Sequence, residues 1–384
     1  MTIAVGAMAT ACRTVAAIAV LTSAVACGAG DGTRRTQPDS TTAALPDSQR
    51  VQLVGVGATL PYPLYARWFN TYGEVAPVRI NYRSEGSAQG LAAVVAGRAD
   101  FGATDVPVGD SLLQRSTAAI VHVPMAVVAV AVTYNVPGLN RPLKLTADVV
   151  ANIFLGRISR WNDPTLVSLN PKETLPDLPI TVIRRSDGTG TSYIFQRYLE
   201  TASATWRDTP VANRQAAGQR LRDGSEAVAS ELKATEGAIG YMEVVYARQN
   251  RLPAAHLQNR AGRFVAAMPF EIASAAVNAL ELLAPLDDEE ASGFRVSLLD
   301  APGPQTYPLA SFTWWLVRPS TLSESSRGEL SRFLHWALED ATDLTAELGY
   351  VPLPSSVATR VLDRTDNALG CAPCAPRPMS GTVR

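Results

Sequence analysis

The segment Arg184-Arg185-Ser186-Asp187-Gly188-Thr189-Gly190-Thr191-Ser192 contains the residue types that bind an oxyanion. It follows a short apolar run, residues 179–183, that is typical of a buried strand, and apolar residues at helical spacing come after it. A helix that begins here presents unpaired backbone N–H groups and about half a positive charge. Glycines let the backbone approach a ligand, hydroxyl groups can donate, and an arginine lies beside them. The pattern indicates either an anion-binding loop or a capped helix after a tight turn.

Two earlier segments have the same order of strand, glycine-containing loop and helix. Residues 51–54 lead into a helix start at which Thr59 is the expected cap. The loop is not a nucleotide P-loop, because it lacks the Lys-Ser/Thr ending of that motif. Residues 78–82 lead into a helix that begins at Ser87 and ends near Gly97. This alternation predicts an α/β sheet, and ligands of such sheets bind at the carboxyl ends of the strands. We therefore expect all three loops to face one cleft.

Composition narrows the function further. The chain has 384 residues, 47% of them hydrophobic, so a large core and two domains are expected. A formal net charge of −1 provides no general basic surface for nucleic acid. The histidines, His122, His256 and His335, lie far apart in sequence and lack metal-ligand spacing. We therefore predict no metal site, no cofactor and no nucleic-acid partner.

The N-terminal segment is typical of an exported protein. Residues 14–26 form an apolar run that has the length of a signal peptide and is too short to span a bilayer. Small residues lead directly into Cys27, an order that resembles a bacterial lipobox. We predict a lipoprotein signal peptide over residues 1–26, a lipid on Cys27 and a flexible tether over residues 27–50. A secretory signal without a lipid is the alternative. In the first case the protein would be extracytoplasmic and anchored to the cell membrane.

Six blocks follow one another along the chain around these loops. They are Gly55-Val-Gly-Ala-Thr-Leu-Pro-Tyr-Pro-Leu-Tyr-Ala-Arg-Trp, Ile80-Asn-Tyr-Arg-Ser-Glu-Gly-Ser, Asp100-Phe-Gly-Ala-Thr-Asp-Val-Pro, Ile153-Phe-Leu-Gly-Arg-Ile-Ser-Arg-Trp-Asn-Asp-Pro, Arg185-Ser-Asp-Gly-Thr-Gly-Thr-Ser-Tyr and Gly237-Ala-Ile-Gly-Tyr-Met-Glu-Val-Val-Tyr-Ala-Arg-Gln-Asn. In number and order they resemble the phosphate-binding proteins of bacterial phosphate ABC transporters, the PstS family. The similarity covers roughly residues 51 to 365.

The resemblance implies an α/β, two-lobed periplasmic-binding-protein fold (type II) that encloses phosphate between its lobes. Lobe I would hold residues 51–124 and 307–370, and lobe II would hold residues 125–306, with a C-terminal tail over residues 371–384. The apolar runs 121–132 and 311–317 lie near the two points at which the chain passes between lobes. Two extended strand crossovers would form a hinge there.

The resemblance also implies a set of phosphate contacts. The residues are Thr59, Leu60, Ser87, Asp105, Arg185, Asp187, Thr189, Gly190 and Thr191. Those of the first lobe would donate from hydroxyl and backbone N–H groups, apart from Asp105, which would be the one acceptor. Arg185 would contact two phosphate oxygens with Asp187 holding its guanidinium, and the last three residues would donate from a helix start.

By this resemblance the protein is a high-affinity solute-binding protein that delivers inorganic phosphate to the permease of an ABC transporter and, through it, to the ATPase. Two other classes remain open. A receptor for sulfate or molybdate is disfavoured because an ionised Asp105 only accepts hydrogen bonds and sulfate has no proton to give. A phosphate-ester hydrolase is disfavoured because the four blocks around the predicted contacts contain no histidine that could activate a nucleophile. We therefore expect a protein that is not an enzyme.

Two features do not follow from the family pattern. Glu85 adds a carboxylate beside the predicted anion site, and we expect its side chain to point to solvent. Cys371 and Cys374 lie in the tail, where a local disulfide in an oxidising compartment is favoured over a tail without function.

Overall fold

A mixed sheet of eight strands runs through the centre of the computed structural model, which describes residues 50–109, 113, 119–186, 189–282 and 294–371. The described strands are β1 (Val51–Gly57), β2 (Val78–Ser84), β3 (Phe101–Thr104), β4 (Val121–Asn135), β5 (Lys144–Leu145), β6 (Thr181–Arg185), β7 (Arg220–Arg222), β8 (Ala238–Glu243), β9 (His256–Gln258), β10 (Phe264–Val265) and β11 (Ala310–Val317). The large sheet has the order β2-β1-β3-β11-β4-β8-β6-β7, and β10-β9-β5 form a small second sheet.

Two groups of parallel strands share the long strand β4. On one side β2, β1 and β3 are parallel, and β11 joins them to β4 by antiparallel pairing with both. On the other side β8, β6 and β7 are parallel, and β8 pairs antiparallel with β4. The first part of β4 pairs with β11 and the second part pairs with β8. The expected α/β class is confirmed, and β4 and β11 are the two strands that connect the groups.

Twelve α-helices surround the sheet over the described ranges. They are α1 (Tyr62–Val75), α2 (Ser87–Val95), α3 (Ala147–Phe154), α4 (Pro164–Leu169), α5 (Gly190–Ala202), α6 (Ala204–Arg207), α7 (Gly224–Ala234), α8 (Val244–Gln249), α9 (Pro269–Leu282), α10 (Glu324–His335), α11 (Thr342–Glu347) and α12 (Ser355–Leu369). Within the described part of the chain, no helix has both the length and the apolar character that crossing a bilayer requires.

Aromatic side chains form the core beside the first strand group. The rings of Phe101 on β3 and Trp315 on β11 stack with centroids 3.9 Å apart, and Trp315 stacks in turn on Phe333 of α10 at 5.1 Å. All three side chains are buried. This packing attaches the C-terminal helices to the first strand group, although more than 200 residues of chain separate Phe101 from Trp315.

Helix α2 lies unusually close to the sheet because it carries a glycine at the contact. A Cβ atom on Gly90 would lie 2.6 Å from the carbonyl oxygen of Ala103 on β3, closer than any side chain could be placed. The close approach brings the N-terminus of α2 to the end of β3. As predicted, α2 begins at Ser87, and Gly97 follows its end with a φ of 66°.

Candidate functional site

The loops that the sequence predicts to bind an anion meet near the middle of β4. Thr104, the last residue of β3, pairs with Trp314 of β11, and the start of β11 pairs with Ala129 of β4. On the other side Glu243, the last residue of β8, pairs with Val130. Because Trp314 also pairs with Pro124, the first group ends beside Pro124 of β4 and the second group ends beside Val130, with their carboxyl ends directed toward each other. The loops that follow these strands therefore come together between the two positions.

The loop after β1 is held by tyrosine hydroxyls from distant parts of the chain. Tyr82 donates to the carbonyl oxygen of Ala58 at 2.7 Å, and Tyr350 donates to that of Leu60 at 2.9 Å. The side chain of Leu60 is buried, whereas Thr59 is partly exposed and lines the cleft. With its carbonyl groups engaged, the loop is fixed with Thr59 facing the cleft.

The prediction that Thr59 caps helix α1 is wrong. Pro61 occupies the cap position, the helix begins at Tyr62, and no side chain caps it within the described structure. Pro61 has no N–H group to donate to a capping hydroxyl, and the carbonyl oxygen of Thr59 accepts a hydrogen bond from the Tyr62 N–H at 3.2 Å. The Thr59 hydroxyl is therefore not used as a helix cap.

Ser87 lies at the first residue of α2, beside the loop after β3. Its Oγ accepts a hydrogen bond from the backbone N–H of Asp105 at 3.2 Å. Because that oxygen already serves as an acceptor, its own proton remains for donation into the cleft. The cap position, Gly86, has a φ of 96° and provides no side-chain cap. In the first turn of α2 the N–H of Gln89 donates to the carbonyl oxygen of Gly86 at 3.1 Å, so the N–H groups of Ser87 and Ala88 are the ones that a helix start offers to a ligand.

Asp105 is the most unusual residue of the site. Its side chain is buried (1% exposed), and neither carboxylate oxygen has a hydrogen-bond partner in the part of the chain that the structure describes. Burial raises the pKa of Asp105 to about 7; the Thr313 side chain lowers the pKa, and the charge of Glu243 raises it. A buried carboxylate without a partner destabilises the fold, and such groups concentrate at functional sites.

The start of helix α5 lies directly against Asp105. A Cβ atom on Gly190 would lie 2.4 Å from Oδ2 of Asp105, so only glycine permits this approach. Thr189 occupies the cap position but caps nothing with its side chain, and its Oγ1 is buried without a partner among the described residues. The site thus combines one buried acceptor with the donors of a helix N-terminus.

Arg184 and Arg185 face opposite sides of β6, as the alternation of a strand predicts. Arg184 donates from Nη1 to the carbonyl oxygen of Arg214 at 2.6 Å. Arg185 is buried, with its side chain 4% exposed, and its Nη1 contacts Oγ of Ser225 at 2.6 Å and Oε1 of Glu243 at 3.4 Å. Arg185 therefore belongs to the site and Arg184 to the neighbouring loop.

Glu243 is a residue of the site that the sequence patterns did not predict. The hydroxyl of Thr191 donates to its Oε1 at 2.5 Å, and that of Ser225 donates to its Oε2. Glu243 is the last residue of β8, after the buried run 238–242. Asp105 directly follows the buried strand β3, and Glu243 likewise ends a buried apolar strand. The same pattern could therefore have predicted Glu243 as a site residue.

The predicted contacts lie at two depths. Thr59, Ser87, Thr189 and Gly190 line a cleft of about 580 Å³. Buried Asp105, Arg185 and Thr191 lie behind them.

Glu85 borders the same cleft, yet its side chain is 47% exposed and pairs with Arg83 at 3.1 Å. The expectation that Glu85 points to solvent is confirmed.

Three predicted positions, Cys27, Asp187 and Cys374, lie outside the described residues. The pairing of Asp187 with Arg185, the lipid on Cys27 and the Cys371–Cys374 disulfide therefore stay predictions. Within the described ranges, no group of three or more His, Cys, Asp or Glu side chains could hold a metal ion.

Comparison with known proteins places these features in context. A family model described as a PBP superfamily domain matches residues 33–341. The chain is 34% identical over 325 residues to the phosphate-binding protein PstS of Haemophilus influenzae, with 83% of this chain and 93% of that protein covered. It is also 34% identical over 325 residues to PstS of Methanocaldococcus jannaschii, with 79% and 82% covered.

Solved structures share the fold. A phosphate-binding protein from Stenotrophomonas maltophilia has a TM-score of 0.62 at 18% identity, with 85% of this chain and 99% of that chain covered. An ABC-type phosphate transport receptor from Vibrio cholerae has a TM-score of 0.52 at 17% identity, with 79% and 100% covered. At these identities the likeness establishes the fold.

Proposed function

The chain belongs to the PBP superfamily and, within it, to the PstS family of phosphate-binding proteins, and on this premise we propose that it captures inorganic phosphate outside the cytoplasm for import by an ABC transporter. The site supports the proposal with hydroxyl groups, helix N–H groups and one arginine around Asp105, a buried acceptor whose oxygens have no partner among the described residues. Many neutral donors suit an oxyanion that has left water.

Asp105 is the observation that carries the proposal. Hydrogen phosphate bears a proton that it can donate to the buried carboxylate, and its other oxygens accept from the donors of Ser87 and α5. Sulfate has no proton, so one of its oxygens would face the ionised carboxylate in a poorly hydrated cleft. This contact is the reason for preferring phosphate over sulfate or molybdate as the ligand.

The same geometry favours binding over hydrolysis. A hydrolase would need a nucleophile with a base in reach. His122 contacts Val108, which lines the cleft, but its Nε2 accepts a hydrogen bond from the Val108 N–H at 3.3 Å. Burial lowers the pKa of His122 to about 3, further from the range of a useful base. A chromogenic phosphate ester should therefore remain uncleaved by the purified protein.

Calorimetry of the purified protein, first freed of bound phosphate, tests the proposed ligand. Phosphate and arsenate should bind tightly and in competition, because both present a protonated tetrahedral oxyanion, and sulfate should bind far more weakly. Equal affinity for phosphate and sulfate would contradict the proposal. Delivery to the permease and its ATPase is tested separately, since cells that lack the protein should take up less phosphate.

We further propose that the two strand groups belong to two lobes, 51–124 with 307–370 and 125–306, which close on phosphate through β4 and β11. The predicted contacts come from both groups, so only a shut cleft brings them all to one ligand. Small-angle scattering should show a smaller radius of gyration when phosphate is added to phosphate-free protein. The Arg185→Ala variant under the same conditions provides the control, and equal radii in the wild type would refute the closure.

Anchoring through Cys27 is a separate proposal that rests on the apolar run before it. Mass spectrometry of the mature N-terminus should detect a cysteine that carries two or more acyl chains, because one chain alone binds a membrane only marginally. The Cys27→Ala protein should appear in the soluble fraction. A wild-type N-terminus elsewhere, or an unmodified cysteine, would exclude the anchor and leave the secretory signal as the explanation.

A further inference from the structure

Glu243 joins two of the residues predicted to contact phosphate. Its Oε1 accepts from the Thr191 hydroxyl at 2.5 Å and pairs with Arg185 Nη1 at 3.4 Å, and its Oε2 accepts from Ser225. Ser225 also accepts from Arg185 at 2.6 Å, which closes the network. Glu243 is 5% exposed, so its charge lies in the same low-dielectric region as the site.

We propose that Glu243 is a positioning residue that fixes Arg185 and Thr191 for the ligand and also sets the preference of the site for a protonated over an unprotonated oxyanion. The inference rests on the proposed function, because it concerns how that same site chooses its ligand.

The positioning part follows from the direction of the hydrogen bonds. A carboxylate only accepts, so the Thr191 hydroxyl proton points to Glu243 and not to the ligand. Thr191 then offers an anion its backbone N–H, which belongs to the first turn of α5. Nη1 of Arg185 donates to Glu243 on β8 and to Ser225 on α7, so these two contacts position Arg185 without the ligand.

The preference follows from the charges. A lone buried arginine would attract any dianion, sulfate included. Glu243 neutralises Arg185, so the anion meets mainly neutral dipoles together with the carboxylate of Asp105. Under these conditions an oxyanion that can donate a proton to Asp105 gains over one that cannot. Where Asp105 is ionised, Glu243 therefore strengthens the discrimination that Asp105 provides.

Glu243→Gln tests the inference, because it keeps the side-chain volume and removes the charge. Affinities for phosphate and sulfate are measured by competition calorimetry at pH 8, where Asp105 is mostly ionised with or without the neighbouring charge. We expect sulfate affinity to rise on the order of tenfold or more while phosphate affinity changes less, so that the ratio narrows. An unchanged ratio overturns the inference.

Glu329→Gln is the matched control. Glu329 is also a buried glutamate paired with an arginine, Arg332, but it lies on α10 and accepts from Tyr72. The two substitutions remove the same charge from a buried glutamate that pairs with an arginine, so each reduces stability, whereas only the first should change the ratio of phosphate to sulfate affinity. If neither variant changes the ratio of phosphate to sulfate affinity, or if Glu243→Gln weakens the binding of both anions equally, then Glu243 has only a structural role.

Glu243→Asp separates the effect of the carboxylate's position from the effect of its charge. It also replaces the glutamine variant as the test if that variant does not fold. It keeps the charge and moves the carboxylate back by one methylene. Phosphate and sulfate affinities should then fall together by about tenfold at a constant ratio, because Arg185 and Thr191 lose their alignment. A narrowed ratio in Glu243→Asp would contradict the assignment of selectivity to the charge. Wild-type protein that binds no phosphate would refute the proposed function itself, a result distinct from these.

Discussion

Asp105→Asn is expected to narrow the preference for phosphate over sulfate, mainly by strengthening the binding of sulfate. An amide can donate as well as accept, so the oxygen of sulfate that faced an ionised carboxylate would face a donor instead. Phosphate keeps an acceptor for its proton. Removing the unfavourable contact between sulfate and the buried Asp105 carboxylate should raise sulfate affinity by about one to two orders of magnitude. Competition titrations of the two proteins measure the ratio, and an unchanged ratio would falsify the role assigned to Asp105.

The pH dependence provides an independent measurement of the same role. The pKa of Asp105 is about 7, so the carboxyl group is mainly protonated below that pH and can then donate to sulfate. Sulfate binding to the wild type should strengthen as the pH falls through about 7 and should be nearly constant for Asp105→Asn. If sulfate binding to the wild type strengthened as the pH rises, the result would contradict the role assigned to Asp105.

Asp105→Asn should not unfold the protein. For an acid whose pKa is higher in the folded state, ionisation destabilises the fold; this cost is absent below the unfolded pKa of about 3.9 and fully present above the folded pKa of about 7. The variant lacks the cost, so without ligand its melting temperature should equal or exceed that of the wild type at pH 8. A lower melting temperature would show that Asp105 stabilises the free protein.

Arg185→Ala should weaken phosphate binding by about a hundredfold or more. One charge-assisted hydrogen bond contributes about 1.5–3 kcal/mol net, and the predicted contact contains two. The substitution also leaves Glu243 buried without its cation, and the uncompensated charge repels an anion. Calorimetry with phosphate measures the loss. Because the removed pair is buried, the double variant Arg185→Ala with Glu243→Gln should regain stability without regaining affinity.

Arg184→Ala is the control for this substitution. Its side chain contacts the carbonyl oxygen of Arg214 on the opposite face of β6, so the change should alter stability and leave phosphate affinity within about twofold. If the two alanine variants lose affinity to the same extent, then the ligand does not lie on the Arg185 face of the strand.

Local patterns predicted the parts of the site that lie next to one another in sequence. The order of strand, glycine loop and helix located Ser87 at the start of α2 and Gly190 at the start of α5. Alternation along β6 assigned Arg184 and Arg185 to opposite faces. These features depend on periods and turns over a few residues, which the sequence displays directly.

The network around Glu243 could not be predicted in this way. Thr191 and Ser225 reach its carboxylate because β6 and β8 pair in one particular parallel register, in which Ile183 lies beside Gly240. Nothing in either segment specifies that register by itself. The prediction at Thr59 was wrong for a similar reason, since a threonine two residues before a proline resembles a helix cap until the start of the helix at Tyr62 is known.

The position of β11 also has a consequence for how the chain is made. This strand lies between β3 and β4, which are neighbours in sequence, yet it is synthesised some 175 residues after the end of β4. Until it arrives, β3 and β4 both present open edges, and the first group of strands cannot join the rest of the sheet. Pairing over such distances is slow and exposes the nascent chain to aggregation. The large sheet can therefore be completed only after residues 310–317 have emerged, so the growing chain lacks its native sheet during most of its synthesis.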